Sequence, residues 1–204
     1  MSLELARYVD QQAAWPTSGR HILAQYDAST IVVYQAYRPS IAEWTLAHQR
    51  FGGGGWSFGR MSWIKPNFLW MMFRCGWATK EGQERVLAIR LRRDAFDGYV
   101  REGVASTFDP RTHVDRDAWQ AAMRASDVRI QWDPDHDPKG HPVERRAIQI
   151  GLRGPALQGF DGTALAGVED ITPLVVRMRH IAADRSRWAE LETPRERLYE
   201  AARG

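Results

Sequence analysis

At 204 residues, 44% hydrophobic and 26% charged, the chain is long enough for one well-buried core, and this mixture excludes a disordered or fibrous polypeptide. A formal net charge of +3 and a pI near 9.2 favour anionic partners modestly and fall short of the clustered charge of a dedicated nucleic-acid binder. No apolar run reaches the ~18 residues of a membrane span, and the opening MSLELARYVDQQ lacks the apolar centre of a signal peptide.

A soluble, cytoplasmic protein with no membrane partner and a single domain over residues 1–204 is expected. Cys75 is the only cysteine, so no internal disulfide forms, and a reducing compartment suits that economy. Lys65, Lys80 and Lys139 are the only lysines among 28 basic residues. Arginine grips phosphate or carboxylate with two prongs where lysine cannot, although a GC-rich genome produces the same bias without any function.

In chain order, Leu3 to Gln12 reads as a short helix, and Arg20 to Asp27 is ambiguous. Thr30 to Tyr37 (TIVVYQAY) is a β-branched and aromatic strand. A helical pattern from Ser40 dies at Phe51 and the run Gly52 to Gly55, which reads as a flexible loop or hinge. Arg60 to Ile64 suits a strand, Pro66 opens a helix over Asn67 to Arg74, and Gly76 stops it. Arg85 to Leu91 is a third strand, and helices follow at Asp94 to Arg101 and Arg116 to Ala125. Val128 to Trp132 and Arg146 to Leu152 are strands joined by the loop DPDHDPKGHPVE, and Ile171 to Ala202 is a helical tail broken near Pro194. The last two strands have no crossover helix between them. The expected fold is therefore α+β, a mixed and mostly antiparallel sheet flanked by helices.

Chemistry-bearing residues gather in three places. Along the first long strand, alternation sets Tyr34 and Ala36 on one face and Gln35 and Tyr37 on the other, and Arg38 stands at the strand end just before a helix, within reach of a phosphate. In WSFGRMSWIKPNFLWMMFRCGW, tryptophans 56, 63, 70 and 77 recur every seventh residue. There Arg60 and Ser62 share a strand face, Trp63 lies on the other, and Lys65 precedes Pro66 in an extended conformation. Phe68 to Phe73 read as core, because apolar residues all round a helix mean burial.

The third place runs from Asp133 to Gln149. Asp133, Asp135, Asp137 and Glu144 fall at calcium-loop positions, but Pro138 stands where that loop requires Gly, and His136 and His141 match no zinc spacing, so no metal is expected. Glu144 sits at the entry to a strand, able to point a carboxylate into a cleft mouth. No GxSxG, HExxH or dinucleotide fingerprint occurs.

Through VYQAYRPSIA, RMSWIKPNFLWMMFRCGW, QWDP and AIQIGL the chain resembles, over nearly its whole length, the uncharacterised family catalogued as domain of unknown function 4291. The order of VYQAYRP, then Ser62 and Trp63, then a Glu ahead of a late strand also resembles ADP-ribosyltransferases. Pro142-x-Glu144 stands where those enzymes carry Gln-x-Glu or Glu-x-Glu. This second resemblance implies NAD as substrate, Glu144 as the carboxylate that stabilises the ribosyl transition state, and Tyr34 and Trp63 against the nicotinamide. It also implies Arg38, Arg60 or Lys65 on the pyrophosphate, with a protein or nucleic acid as acceptor. Two other readings stand beside it: a non-catalytic module for a nucleotide or single-stranded nucleic acid, and an interaction domain whose aromatics are all core.

Overall fold

The computed structural model describes residues 3–53 and 55–202. In order, the elements are β1 (Leu5–Arg7), α1 (Tyr8–Ala14), β2 (Gly19–Arg20), β3 (Ile22–Ala24), β4 (Thr30–Tyr37), α2 (Pro39–His48), β5 (Ser62–Ile64), α3 (Phe68–Cys75) and β6 (Arg85–Arg92). There follow α4 (Arg93–Glu102), β7 (Val104–Ala105), α5 (Arg116–Ala125), β8 (Val128–His136), β9 (Pro142–Leu152), α6 (Gly154–Asp161), β10 (Leu165–Asp170) and α7 (Thr172–Ala183). A 3-10 turn (Arg185–Glu190) then leads into β11 (Glu192–Pro194) and β12 (Arg197–Tyr199). The fold is α+β.

Two sheets carry the architecture. The first is antiparallel, in the order β10-β6-β4, with Tyr34 opposite Ala88 and Gln35 opposite Leu87. Both of its faces are covered. Val32, Tyr34, Val86 and Ala88 enter one apolar cluster with α3 and α7, while Ile31, Val33, Leu87, Ile89 and Leu91 enter a second with α4, α6 and β9. That double burial is why both strands are rich in apolar, β-branched residues on each face.

The second sheet is built on β9. β8 runs antiparallel along one edge of it, while the other edge is shared by β5 near Leu152 and the short parallel strand β2 near Arg146. β7 extends β8 in parallel. A bridge between Tyr34 and Lys65 ties the two sheets together at the foot of β5, with the Tyr34 amide donating to the Lys65 carbonyl at 2.7 Å.

Several expectations change here. The opening helix is a strand followed by α1, and the tail is helical only through α7 and the 3-10 turn, after which β11 and β12 pair back to β1 and β3. Most of DPDHDPKGHPVE is strand, with a tight turn where Gly140 donates to the Asp137 carbonyl at 2.9 Å. Gly52 and Gly53 lie in the expected loop and against the Trp44 ring, where a Cβ on Gly53 would stand 2.4 Å from Nε1. Gly54, in the middle of that run, falls outside the described residues.

Among the described residues no helix is long and apolar enough to cross a membrane. None of their His, Cys, Asp and Glu side chains cluster in threes to hold a metal ion. The aspartates of the calcium-like pattern have separate partners: Asp133 takes Gln131 and Gln149, Asp135 takes Arg145, and Asp137 takes His141.

Candidate functional site

A cavity of about 560 Å³ opens where β4, β5, α3 and the β8–β9 pair converge. That volume lies within the range of small-molecule sites. Three cations line it, Arg60, Lys65 and Arg74, together with Trp63, Tyr37 and the amides Gln35, Gln83, Gln131 and Gln149. No carboxylate is in its lining.

Lys65 is the central feature. Pro66 restricts it to extended backbone, and the Tyr34 amide holds its carbonyl, so the stem is fixed from both sides. The side chain is only 5% exposed. Its ammonium donates to the Trp63 carbonyl at 3.1 Å, and among the described residues it enters no ion pair. Burial, reinforced by the nearby Arg74 charge, pulls its pKa down from 10.5 to about 8. Below that pH an ammonium with unused N–H donors faces the cavity.

The framework around it is braced. Gln35, itself buried, donates to the Ser62 hydroxyl at 2.6 Å and to the Trp63 carbonyl at 3.1 Å, and its own oxygen accepts from Tyr37. Its amide thereby locks β5 onto β4. Trp63 lies over Gly151, its register partner on β9, where an added Cβ would meet the ring at 3.0 Å and the Met61 sulfur at 2.7 Å. Glycine at 151 therefore sets how deeply the indole sits.

On the floor, Asp133 is clamped between two amides, taking Gln131 Nε2 on one oxygen at 2.8 Å and Gln149 Nε2 on the other at 2.7 Å. It borders the cavity through these partners and itself lines a neighbouring one, which shares Gln131.

The structure brings Gln35, Arg60, Ser62, Trp63 and Lys65 together around one cavity. Arg38 lines an adjoining opening of about 230 Å³ that shares Tyr37, Arg60, Met61 and Ser62 with it. Tyr34 is elsewhere: its ring is fully buried edge-on to Phe68 on the opposite face of β4, so only its backbone serves the site.

Glu144 is not brought in. It is exposed, and along β9 it stands five residues from Gln149, roughly 16 Å at strand rise. Because the β9 strand begins at Pro142, two residues before Glu144, that carboxylate is carried along the strand away from the cavity. Phe73 also departs from the core: it is 40% exposed and stacks on His136.

Gln83 and Gln131 were not legible as site residues, since they lie on a loop and on a strand whose register no local pattern reveals. Arg74 was visible as a charge in the tryptophan-rich string, where pairing with Trp70 accounted for it, and Asp133 and Gln149 bounded the third candidate segment with no local sign that they meet Gln35 and Lys65. A comparison with curated proteins finds no match. The model of the family described as "Domain of unknown function (DUF4291)" matches residues 21–199, a span that holds every residue of this cavity, and the chain belongs to that family.

Proposed function

We propose that the cavity binds an anionic, ring-bearing nucleotide, and that this nucleotide is NAD, consumed in an ADP-ribosyl transfer. The observation that carries the reading is Lys65, a buried ammonium without an ion-pair partner, set in a wall with Arg60 and Arg74. A buried charge is costly unless something neutralises it, and a pyrophosphate would do so. Trp63 supplies a flat face for a ring, and the glutamine amides supply donors and acceptors for its edge.

In the reaction, the bond between the nicotinamide nitrogen and the ribose carbon breaks, the electron pair leaving with nicotinamide. The acceptor nucleophile bonds to that carbon and loses its proton to water. Positive charge builds on the sugar as the bond breaks, and a fixed carboxylate stabilises it. Asp133 is the carboxylate that borders the cavity, and its two amide partners keep it oriented; this reading transfers to it the role that motif order suggested for Glu144.

The test is a thermal-shift panel of NAD, ADP-ribose and ATP, joined to chromatographic detection of released nicotinamide. A ligand at a hundred times its dissociation constant adds about 2.7 kcal/mol of stability. Asp133→Asn should keep the NAD shift and lose nicotinamide release, and Glu144→Gln should keep both. Absence of a shift with every nucleotide refutes the binding site; a shift without nicotinamide release leaves a nucleotide site and refutes the transfer.

A further inference from the structure

Beside the first cavity lies a second, of about 780 Å³, which shares only Gln131 of its lining with the first. β8 contributes Trp132 to it, and the segment Ser106–Thr112 forms the facing wall. That wall is anchored: the Ser106 amide donates to the Ile130 carbonyl at 2.8 Å, and Trp119 Nε1 to the Ala105 carbonyl at 2.9 Å.

Its cations are arranged in an unusual way. Arg20 and Arg146 are register partners in the parallel pairing of β2 with β9, so both side chains leave the sheet on the same side. Both are exposed, and among the described residues neither enters a salt bridge. Arg145, the next residue on β9, is buried and tied to Asp135 at 2.6 Å. The two carboxylates of the lining are already engaged, Asp109 by Arg111 at 2.8 Å and Asp133 by its two amides. Two neighbouring like charges repel, and an anion between them converts that repulsion into attraction.

We infer that this second cavity is a binding site for single-stranded nucleic acid, Arg20 and Arg146 holding successive phosphates and the half-buried Trp132 ring stacking a base. Stacked rings and backbone-tracking cations are the two components of such sites. Placement argues for a strand: Trp132, opposite Ile148 in the β8–β9 register, shares one face of that pair with Arg146 and so with Arg20, which sets the ring and both cations on the same side of the sheet. An acidic peptide would satisfy the arginines and leave Trp132 without a stacking partner.

The test is fluorescence anisotropy of labelled oligothymidylate and oligouridylate, each about twelve nucleotides long, titrated across a series of salt concentrations without NAD. Failure here therefore leaves the NAD reading untouched. The wild-type chain should bind at least one strand with affinity that falls steeply with salt. Arg20→Ala with Arg146→Ala should weaken binding about tenfold and flatten the log–log salt slope by about 1.4, because each single-strand phosphate contributes about 0.7. Trp132→Leu should weaken binding while leaving the salt slope unchanged. Both arginines are exposed, so the double variant should melt like the wild type. The inference is overturned if neither strand binds, if the double variant matches the wild type in affinity and slope, or if an acidic peptide competes as well as unlabelled strand.

Discussion

At the scale of single residues, Lys65 couples stability to function. Its folded pKa of about 8 against an ordinary 10.5 corresponds to a burial penalty of about 3 kcal/mol when charged. Between those two values the unfolded chain holds the proton and the native chain does not, so this residue makes stability rise with pH across the window. Lys65→Met should therefore stabilise the fold by about 1 to 3 kcal/mol near neutral pH and abolish the nucleotide thermal shift. Urea denaturation from pH 7 to 10.5 checks it: the wild-type curve should climb towards that of the variant as pH increases. A variant less stable than wild type at pH 7 would show that the ammonium is well accommodated without a ligand. Glu196 carries the opposite sign of proton chemistry. It is 3% exposed, accepts the Phe68 amide at 2.6 Å, and is pushed well above the ordinary carboxyl range by burial. Its contribution is fully present below its unfolded pKa and fades as pH rises through the folded one. Glu196→Gln keeps an oxygen for Phe68 and removes the titration, so the wild type should lose stability relative to this variant as pH rises from about 4.5, measured by the same denaturation.

At the scale of elements, α3 shows how local chemistry positions the site. Asn67 caps it, its Oδ1 accepting the Trp70 amide at 2.7 Å, and Gly76 ends it in the left-handed region at a φ of 58°. Pro66, the cap and the stop glycine are all visible in sequence, which is why this helix was legible to within a residue at each end. Asn67→Ala should cost about 1 to 2 kcal/mol, seen as a lower urea midpoint, and should weaken nucleotide binding because Lys65 leads into the helix and Arg74 sits in its last turn. The loop after α2 gives a second test. Gly53 has a φ of 56° and faces the Trp44 ring, so Gly53→Ala should destabilise by about 1 to 3 kcal/mol, whereas Gly55→Ala, with no atom in contact range, should pay only for its positive φ of 91°. Equal losses in calorimetric melting would return this segment to a featureless loop. β4 and α5 run over the residues that pattern predicted, Thr30–Tyr37 and Arg116–Ala125, since a β-branched, aromatic run and the four-residue spacing of Trp119 and Met123 are local signals. α6 was missed because it opens on Gly154 and Pro155 and contains Gly159, all weak helix formers. β8 was cut short at Trp132 because Pro134 reads as a breaker, yet it lies beside a register shift where a strand tolerates proline.

At the scale of the whole molecule, the tryptophans divide into two populations. Trp15, Trp70 and Trp188 are buried, while Trp44, Trp56, Trp63, Trp77, Trp119 and Trp132 are half-buried. Acrylamide quenching should therefore be biphasic, and oligonucleotide should protect part of the accessible fraction; uniform shielding would favour the reading in which every ring is core. The sevenfold recurrence from Trp56 to Trp77 serves no single stripe: Trp56 packs on Phe51, Trp63 lines the cavity, Trp70 is buried near His136, and Trp77 packs edge-on to Phe68. By itself the sequence determined the α+β class and the main strands and helices, because strand alternation, a proline and a glycine stop act over a few residues, and it offered Tyr34, Gln35, Arg38, Arg60, Ser62, Trp63, Lys65 and Glu144 as candidates without showing which of them meet. Only the tertiary structure decided which face of β4 meets the cavity, that Asp133 and not Glu144 borders it, and that Arg20 and Arg146 stand side by side. Those relations depend on the register between strands that are separate in the chain, by more than a hundred residues in the pairing of Arg20 with Arg146, and such register is set by packing of the whole core, with no local period to announce it.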